Sequence, residues 1–391
     1  MPKVRHKRRV LIVTGSRSEF GLLRPVMQAV RKHKSLRLLV AVAGEHLLAP
    51  ANTCREVAAE FRIDAKVPMQ RRTDRGRLDH AAACARGMVG FAAAYKKLHP
   101  DWVVVLGDRI EAFAAAGAAS IAGIAVCHIH GGDRAEGIAD EAMRHAITKL
   151  AHLHCAATTQ SAQRIVRMGE PKGNVHITGS PAIDGLAAMR AMTDSDANDL
   201  RDVRTLVLLH PSGVSAREEH DLAVIASVIA SREGDALFLA PNHDPGREEI
   251  VAQWRFMEQR HQFVRPADHL PRRLFLALVR RLAKTEDACI VGNSSAALIE
   301  CAALGLPAIN LGPRQSGREC PQTVLSIPKA ADFLRSGRRM DGLRQAVERH
   351  AQARPAPTNI YGDGRAGPRI AALLAKTNPH DPALLRKRNS Y

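Results

Sequence analysis

Apolar residues in this chain come in short unbroken runs. Each run is followed by a small polar turn and then by a longer amphipathic or alanine-rich stretch. RRVLIVTGSRSEFGLLRPVMQAVRK (8–32) sets the rhythm as strand, Gly/Ser turn and helix. LRLLVAVAG (36–44) reads as the next strand, and DWVVVLGDRIEAFAAAGAASIAG (101–123) as strand, turn and small-residue helix. IAVCHIHGG (124–132) is a strand ending in a glycine turn, and HLHCAATT (152–159) and NVHITGSP (174–181) are short strands. Continuous apolar strands alternating with helices predict an α/β fold, a parallel sheet covered on both faces.

A second series begins after the polar stretch TDSDANDLRD (193–202). RTLVLLHPSG (204–213) and DALFLAPNHDPG (235–246) are strands with turns. DACIVGNSSAALIECAALG (287–305) is strand, turn and helix, and LPAINLGPRQSGREC (306–320) is a strand feeding a polar loop. Two βα domains are therefore expected, 1–185 and 186–355, followed by 356–391 with a helix in GRAGPRIAALLAK and a basic end. At 391 residues the chain exceeds one ordinary core. Open α/β sheets bind ligands at the carboxyl ends of their strands, so the expected site is a cleft across which the two domains face each other.

Composition narrows the function. Aromatics make up only 4%, which weakens any base-stacking platform for single-stranded nucleic acid. The formal charge of +18 favours an anionic partner such as a nucleotide. Some of it lies in KVRHKRR (3–9) and RKR (386–388), and the scattered remainder fits a solvated arginine-rich surface. No basic run continues along a helix face, so a nucleic-acid partner is not expected. The seven cysteines form no CxxC pair and read as small buried residues of a reducing compartment. VLIVTG after the basic start reads as a strand and not as a signal-peptide apolar region, and no stretch approaches a membrane span, so a cytoplasmic protein is expected.

The chemistry concentrates at predicted strand ends. GSRSEFG (15–21) is neither GxGxxG nor a P-loop, but its turn could meet a nucleotide through backbone N–H groups, with Arg17 as a fork donor. LGDRIEA (106–112) puts Asp108 and Glu111 at a helix start, as helix caps or as an acid/base pair. In HIHGGDRAEGIADEAMRHAITK (128–149), His128 and His130 are expected on one strand face. Asp140 and Glu141 open a helix, with Arg144 and His145 one turn on. His-x-His with a carboxylate can bind zinc, but HExxH is absent. LHPSG puts His210 at a strand end of the second series. VGNSSAALIE offers Ser294 and Ser295 as helix-start anion ligands, against simple N-capping by Asn293 or Ser294, and Glu300 as an acceptor for a ribose diol. Arg314 and Arg318 in GPRQSGR add two guanidinium groups. Together these favour a nucleotide diphosphate-sugar ligand.

GSRSEFGLL, GDRIEA, HIHGGD, DEAMRHAITKLAHLH, GSPAID, LHP, GNSSAALIE and GPRQSGR stand in the order and spacing of UDP-N-acetylglucosamine 2-epimerases. The chain resembles the hydrolysing, sialic-acid-type branch over roughly residues 9–320. The resemblance implies two Rossmann-like domains of the glycosyltransferase-B type. The first would hold the sugar and acid/base residues, the second would bind the nucleotide diphosphate, and the last helix would return to the first. It implies no metal and no cofactor. The implied reaction takes UDP-N-acetylglucosamine and water to N-acetylmannosamine and UDP, within sialic-acid-like sugar biosynthesis. Elimination of UDP across C1–C2 gives a 2-acetamidoglucal, and water then adds with inversion at C2.

By the resemblance, Asp108 and Glu141 are the leading acid/base candidates, supported by Glu111 and Asp140; His130, where the chain departs from the family pattern, is a further catalytic candidate because a neutral histidine can act as a base. His210 resembles a histidine near phosphate and sugar. Arg17, Ser294, Ser295, Glu300, Arg314 and Arg318 match nucleotide-binding positions. His46 in GEHL and Asp244 in NHDPG match sugar-side positions, and a homodimer is an expectation from the family. HIHGG stands where many relatives carry HIEGG, and HPSG where HPVT is frequent. These departures point toward another sugar, such as a 2,4-diacetamido-6-deoxy hexose, or a GDP carrier. A glycosyltransferase of the same fold is the rival from a different reaction class. The HVEAGLR and HRREN segments of the non-hydrolysing epimerases are absent.

Overall fold

A computed structural model of the chain describes residues 7–49, 52–74, 76–135, 141–197, 200–212, 215–232, 234–241, 246–268, 270–335 and 337–388. The chain divides into two compact units. The first comprises Met1–Asp133, Asp140–Gly185 and Gly362–Tyr391, and the second Arg134–Ala139 and Leu186–Tyr361.

The first unit is built on a parallel sheet of β1 (Arg8–Thr14), β2 (Leu36–Ala43), β3 (Ala65–Val67), β4 (Trp102–Leu106), β5 (Ala125–Ile129), β6 (Leu153–Ala156) and β7 (Val175–Ile177). Their order is β3-β2-β1-β4-β5-β6-β7. β1 explains why the sequence shows a solid apolar run. Val10 and Ile12 enter one core with Leu23, Val26 and Met27, while Leu11 and Val13 enter the opposite core with Ala112, Ala115 and Phe91. Both faces are buried, so no polar alternation survives.

The second unit repeats the plan with β8 (Val203–Leu208), β9 (Asp235–Leu239), β10 (Val264–Ala267), β11 (Cys289–Gly292), β12 (Ala308–Leu311) and β13 (Val324–Ile327), in the order β10-β9-β8-β11-β12-β13. In each sheet the order reverses beside the first strand of its unit. Strand ends that carry ligands in doubly wound sheets lie at such reversals, here β1/β4 and β8/β11. The sequence reading omitted β3, β10 and β13. All three are sheet edges of three or four residues, half covered and partly polar, as Pro266 and Arg265 in β10 illustrate.

The helix Ala366–Lys376 packs against the helix Arg17–Lys32 of the first unit and buries Ile370, Ala371 and Leu374. Burial of the two larger side chains stabilises this contact by roughly 2 kcal/mol each. Gly367 permits the close approach, because a Cβ there would lie 2.8 Å from the Pro25 carbonyl oxygen. Both ends of the helix are capped from distant parts of the chain. Asp184 accepts from the N–H groups of Ala366 (2.9 Å) and Gly367 (2.6 Å), and Arg8 donates to the carbonyls of Leu374 (3.0 Å) and Thr377 (2.8 Å). Lys387 completes the tail. It donates to the carbonyls of Lys149 and Ala151 at the end of the helix Glu141–Leu150 and pairs with the buried Glu170 at 2.8 Å. Burial works against the Glu170 charge, but bonds from His154, Lys149 and Lys387 outweigh it and hold the carboxyl at a pKa of about 2.

No helix among the described residues is long and apolar enough to cross a membrane. All seven cysteines are free thiols; six are buried or partly so, whereas Cys320 is exposed, against the expectation of burial.

Candidate functional site

In the first unit the sequence-chosen residues gather at the carboxyl edge of the sheet. β4 ends at Leu106, and the next residue, Gly107, has a φ of 72° that turns the chain so that Asp108 leaves the sheet. Arg144, on the buried face of the helix Glu141–Leu150, donates to Asp108 and lies 3.7 Å from Glu141. Glu141 also meets His145 at 3.2 Å, its i+4 neighbour. One buried guanidinium therefore holds two carboxylates that come from segments 33 residues apart. Arg144 stands in the sequence reading only as a neighbour of Glu141.

His128 braces this arrangement. Its Nε2 donates to the Gly107 carbonyl at 2.8 Å and its Nδ1 lies 3.1 Å from Thr148 Oγ1, so it ties the Asp108 turn to the Arg144 helix. Complete burial pushes its pKa down to about 3 and keeps the ring neutral. The expectation that His128 and His130 share one strand face is corrected here. β5 ends at Ile129, and His130 takes a φ of 62°, which breaks the alternation. The His130 ring meets Asp133 Oδ2 at 3.0 Å and Ser180 Oγ at 2.9 Å instead.

The turns after β1 and β2 enclose a second group. Glu111 is fully buried against both. A Cβ on Gly15 would lie 2.6 Å from its Cγ, and one on Gly44 2.1 Å from its Oε1, so each turn needs glycine at that point. Arg109 donates to Glu111 (3.2 Å) and to Glu45 (2.6 Å). His46 is wholly buried, with Nε2 3.0 Å from Thr14 Oγ1 and Nδ1 2.8 Å from Thr53 Oγ1. Burial lowers its pKa to about 4. In this geometry His46 braces the ends of β1 and β2, and its ring has no exposed face. Arg17 opens the helix after β1, half exposed and 3.7 Å from Glu56.

Glu19 escaped the sequence reading. It lies one turn into the first helix, wholly buried, and accepts from the Gly15 N–H at 2.6 Å. Burial first, then the charge of Glu111, raises its pKa to about 8, while the Gly15 bond and Arg109 oppose the shift. At neutral pH it is a carboxylic acid. An acidic residue four positions after a strand-end glycine, inside an otherwise apolar helix face, was the available signal.

In the second unit the ends of β8, β11 and β12 are laced together by Asn293. Its side chain is completely buried; it accepts from the His210 N–H (2.7 Å) and donates to the His210 carbonyl (2.8 Å) and Ser212 Oγ (3.0 Å). Its own carbonyl accepts from Arg314 (3.2 Å) and Gln315 (2.8 Å). Asn293 was read only as a helix cap, yet it sets the positions of His210 and Arg314 together. Ser294 Oγ accepts from the Ala296 N–H at 3.3 Å, and Ser295 begins the helix. That helix contains a π-turn over Ala297–Cys301, a distortion frequent at functional sites. Glu300 lies within it, buried, and bonds Arg272 at 2.9 Å. Arg318 follows β12 in the same loop as Arg314. Asp140 and Asp244 lie outside the described residues. Among the described residues no cluster of His, Cys, Asp and Glu could hold a metal ion.

A family profile described as UDP-N-acetylglucosamine 2-epimerase matches residues 28–375. The chain belongs to that family. It is thereby an enzyme of nucleotide-sugar chemistry. The chain is 33% identical to the hydrolysing UDP-N,N′-diacetylbacillosamine 2-epimerase of Legionella pneumophila, over 98% of this chain and 100% of that protein. It is 28% identical to the UDP-N-acetylglucosamine 2-epimerase of Neisseria meningitidis, over 81% of this chain and 83% of the relative. The crystal structure of a Neisseria meningitidis UDP-GlcNAc 2-epimerase bound to UDP-GlcNAc superposes with a TM-score of 0.79 at 20% identity, covering 94% of this chain and 100% of that one. That likeness shows the epimerase fold of two Rossmann-like units.

Proposed function

We propose that the chain is a hydrolysing 2-epimerase of a UDP-linked 2-acetamido sugar, releasing UDP and the free 2-epimer. The arrangement that carries this reading is the pair of carboxylates, Asp108 and Glu141, held by the buried Arg144 at the β4 end. Elimination needs one base to take the C2 proton while the C1–O bond to UDP breaks. Hydration then needs a proton for C2 on the opposite face and a hydroxyl for C1. Two carboxyl groups on different segments supply both exchanges, one taking the C2 proton as a base and the other delivering a proton to C2 from the opposite face while water gives its hydroxyl to C1, and Arg144 orients them. Glu111 and Asp140 support the first group. His210, Ser294, Ser295, Arg17, Arg314 and Arg318 serve the nucleotide and its leaving diphosphate, with Glu300 for the ribose and Asp244 on the sugar side, while His46 braces the ends of β1 and β2.

The preferred substrate in this reading is UDP-N,N′-diacetylbacillosamine, supported by the full-length match to the Legionella pneumophila enzyme. UDP-N-acetylglucosamine is the second reading, supported by the Neisseria meningitidis relative. NMR of purified protein with each sugar in deuterated water tests both. The expected result is UDP plus a free 2-epimer with deuterium at C2, formed faster from the diacetamido sugar. A UDP-linked 2-epimer would refute hydrolysis, and faster turnover of UDP-N-acetylglucosamine would reverse the substrate order.

A further inference from the structure

We propose that His130 is a positioning residue, locked with Asp133 and Ser180 into a buried strut, and that it does not itself exchange the C2 proton. This rests on the 2-epimerase reading above. His130 is 6% exposed, Asp133 2% and Ser180 fully buried. Both ring nitrogens are engaged, Nδ1 with Asp133 Oδ2 at 3.0 Å and Nε2 with Ser180 Oγ at 2.9 Å. An ionised carboxylate only accepts, so Asp133 fixes a proton on Nδ1. Ser180 Oγ already accepts from the Ala182 N–H at 3.2 Å, which leaves its own proton for Nε2. The lone pair a base would use is therefore occupied.

The partners are themselves held. Ser161 donates to Asp133 Oδ1 at 2.7 Å, and Arg164 donates to the Gly132 carbonyl at 3.1 Å. Gly132, with φ 73°, has no room for a Cβ, which would lie 2.2 Å from the Ser161 carbonyl oxygen. His130 adopts the left-handed conformation, uncommon outside glycine, so its neighbours must over-determine it. The strut bears directly on the site. The carbonyl of Ile129, next to His130, accepts from the Gly107 N–H at 3.0 Å, and Gly107 precedes Asp108. Fixing the end of β5 fixes the carboxylate proposed to move the proton.

The test is His130→Gln in the full chain. Glutamine keeps a donor and an acceptor on a planar head but cannot take up a proton. The expected result is a kcat lowered about tenfold or less, with KM little changed and deuterium still entering C2. Removing a true base costs about 10²–10⁴. A loss of that size in C2 exchange, with an unchanged melting temperature, overturns the proposal. Ser180→Ala and Asp133→Asn keep it testable if that variant does not fold. Members of one strut give similar kcat losses that do not add in the double variant, with the pH–rate profile unmoved. A much larger loss in Asp133→Asn with an altered profile instead indicates an oriented base and refutes the strut. Failure of the wild type to turn over either sugar would sink the 2-epimerase reading alone. Additive melting-temperature losses in the Ser180→Ala/Asp133→Asn pair would sink the strut.

Discussion

Replacing Glu19 with glutamine removes a buried ionisable group while keeping its size and its bond from Gly15. Its carboxyl has a pKa of about 8 in the folded chain against an ordinary value of 4.5, because it is buried and lies near Glu111. The folded state therefore holds a proton that the unfolded state has released between these two values. Stability from this group is full below pH 4.5 and is lost as pH rises through about 8. Each pH unit inside the window costs about 1.4 kcal/mol. Between pH 6 and pH 9 the wild type loses roughly 2–3 kcal/mol through Glu19 alone. The amide of the variant has no proton to lose, so Glu19→Gln should lack this slope. Urea unfolding at pH 6, 7, 8 and 9 measures it, with Glu19→Gln gaining on the wild type as pH rises. Parallel pH dependences for the two proteins would show that Glu19 is already ionised in the folded chain, and the burial argument would fail.

Glu141→Gln should lower turnover by about 10²–10⁴ and leave UDP affinity near that of the wild type, read by steady-state kinetics and calorimetry. Full activity in that variant would remove Glu141 from the proton transfer. Ser294→Ala combined with Arg318→Ala should weaken UDP binding by about tenfold or more, since in the proposed site both donate hydrogen bonds to the charged diphosphate; unchanged affinity would refute the diphosphate assignment. Burial lowers His128 to about 3, and His46 and His152 to about 4, from 6.5. Their contribution is full above pH 6.5 and is lost as pH falls toward 3–4, so urea midpoints should drop across that range and drop less in His128→Gln.

The central strands were legible because both faces of each sheet are covered, so residues such as Leu11 and Ile12 join short unbroken apolar runs bounded by turns. The edges β3, β10 and β13 were not, because a half-covered strand of three or four residues carries too few apolar positions. Asp108, Glu141, His210 and Ser294 could be singled out from strand-end position and residue type, since parallel strands collect their following loops at one edge.

Which of these side chains meet was decided by tertiary structure alone. Arg144 joins Asp108 to Glu141 because the β4 turn and a later helix are brought side by side, a distance no local pattern encodes. His46 and His130 look equally available in the sequence, yet each has both ring nitrogens bonded, one of them to a residue far along the chain, Thr14 for His46 and Ser180 for His130. Glu19 shows the same limit. A carboxylate in a helix draws no notice until the fold closes water away from it and sets Glu111 nearby. Periodicity along the chain determines strands and helices, whereas ionisation and pairing depend on which distant groups share a dry space.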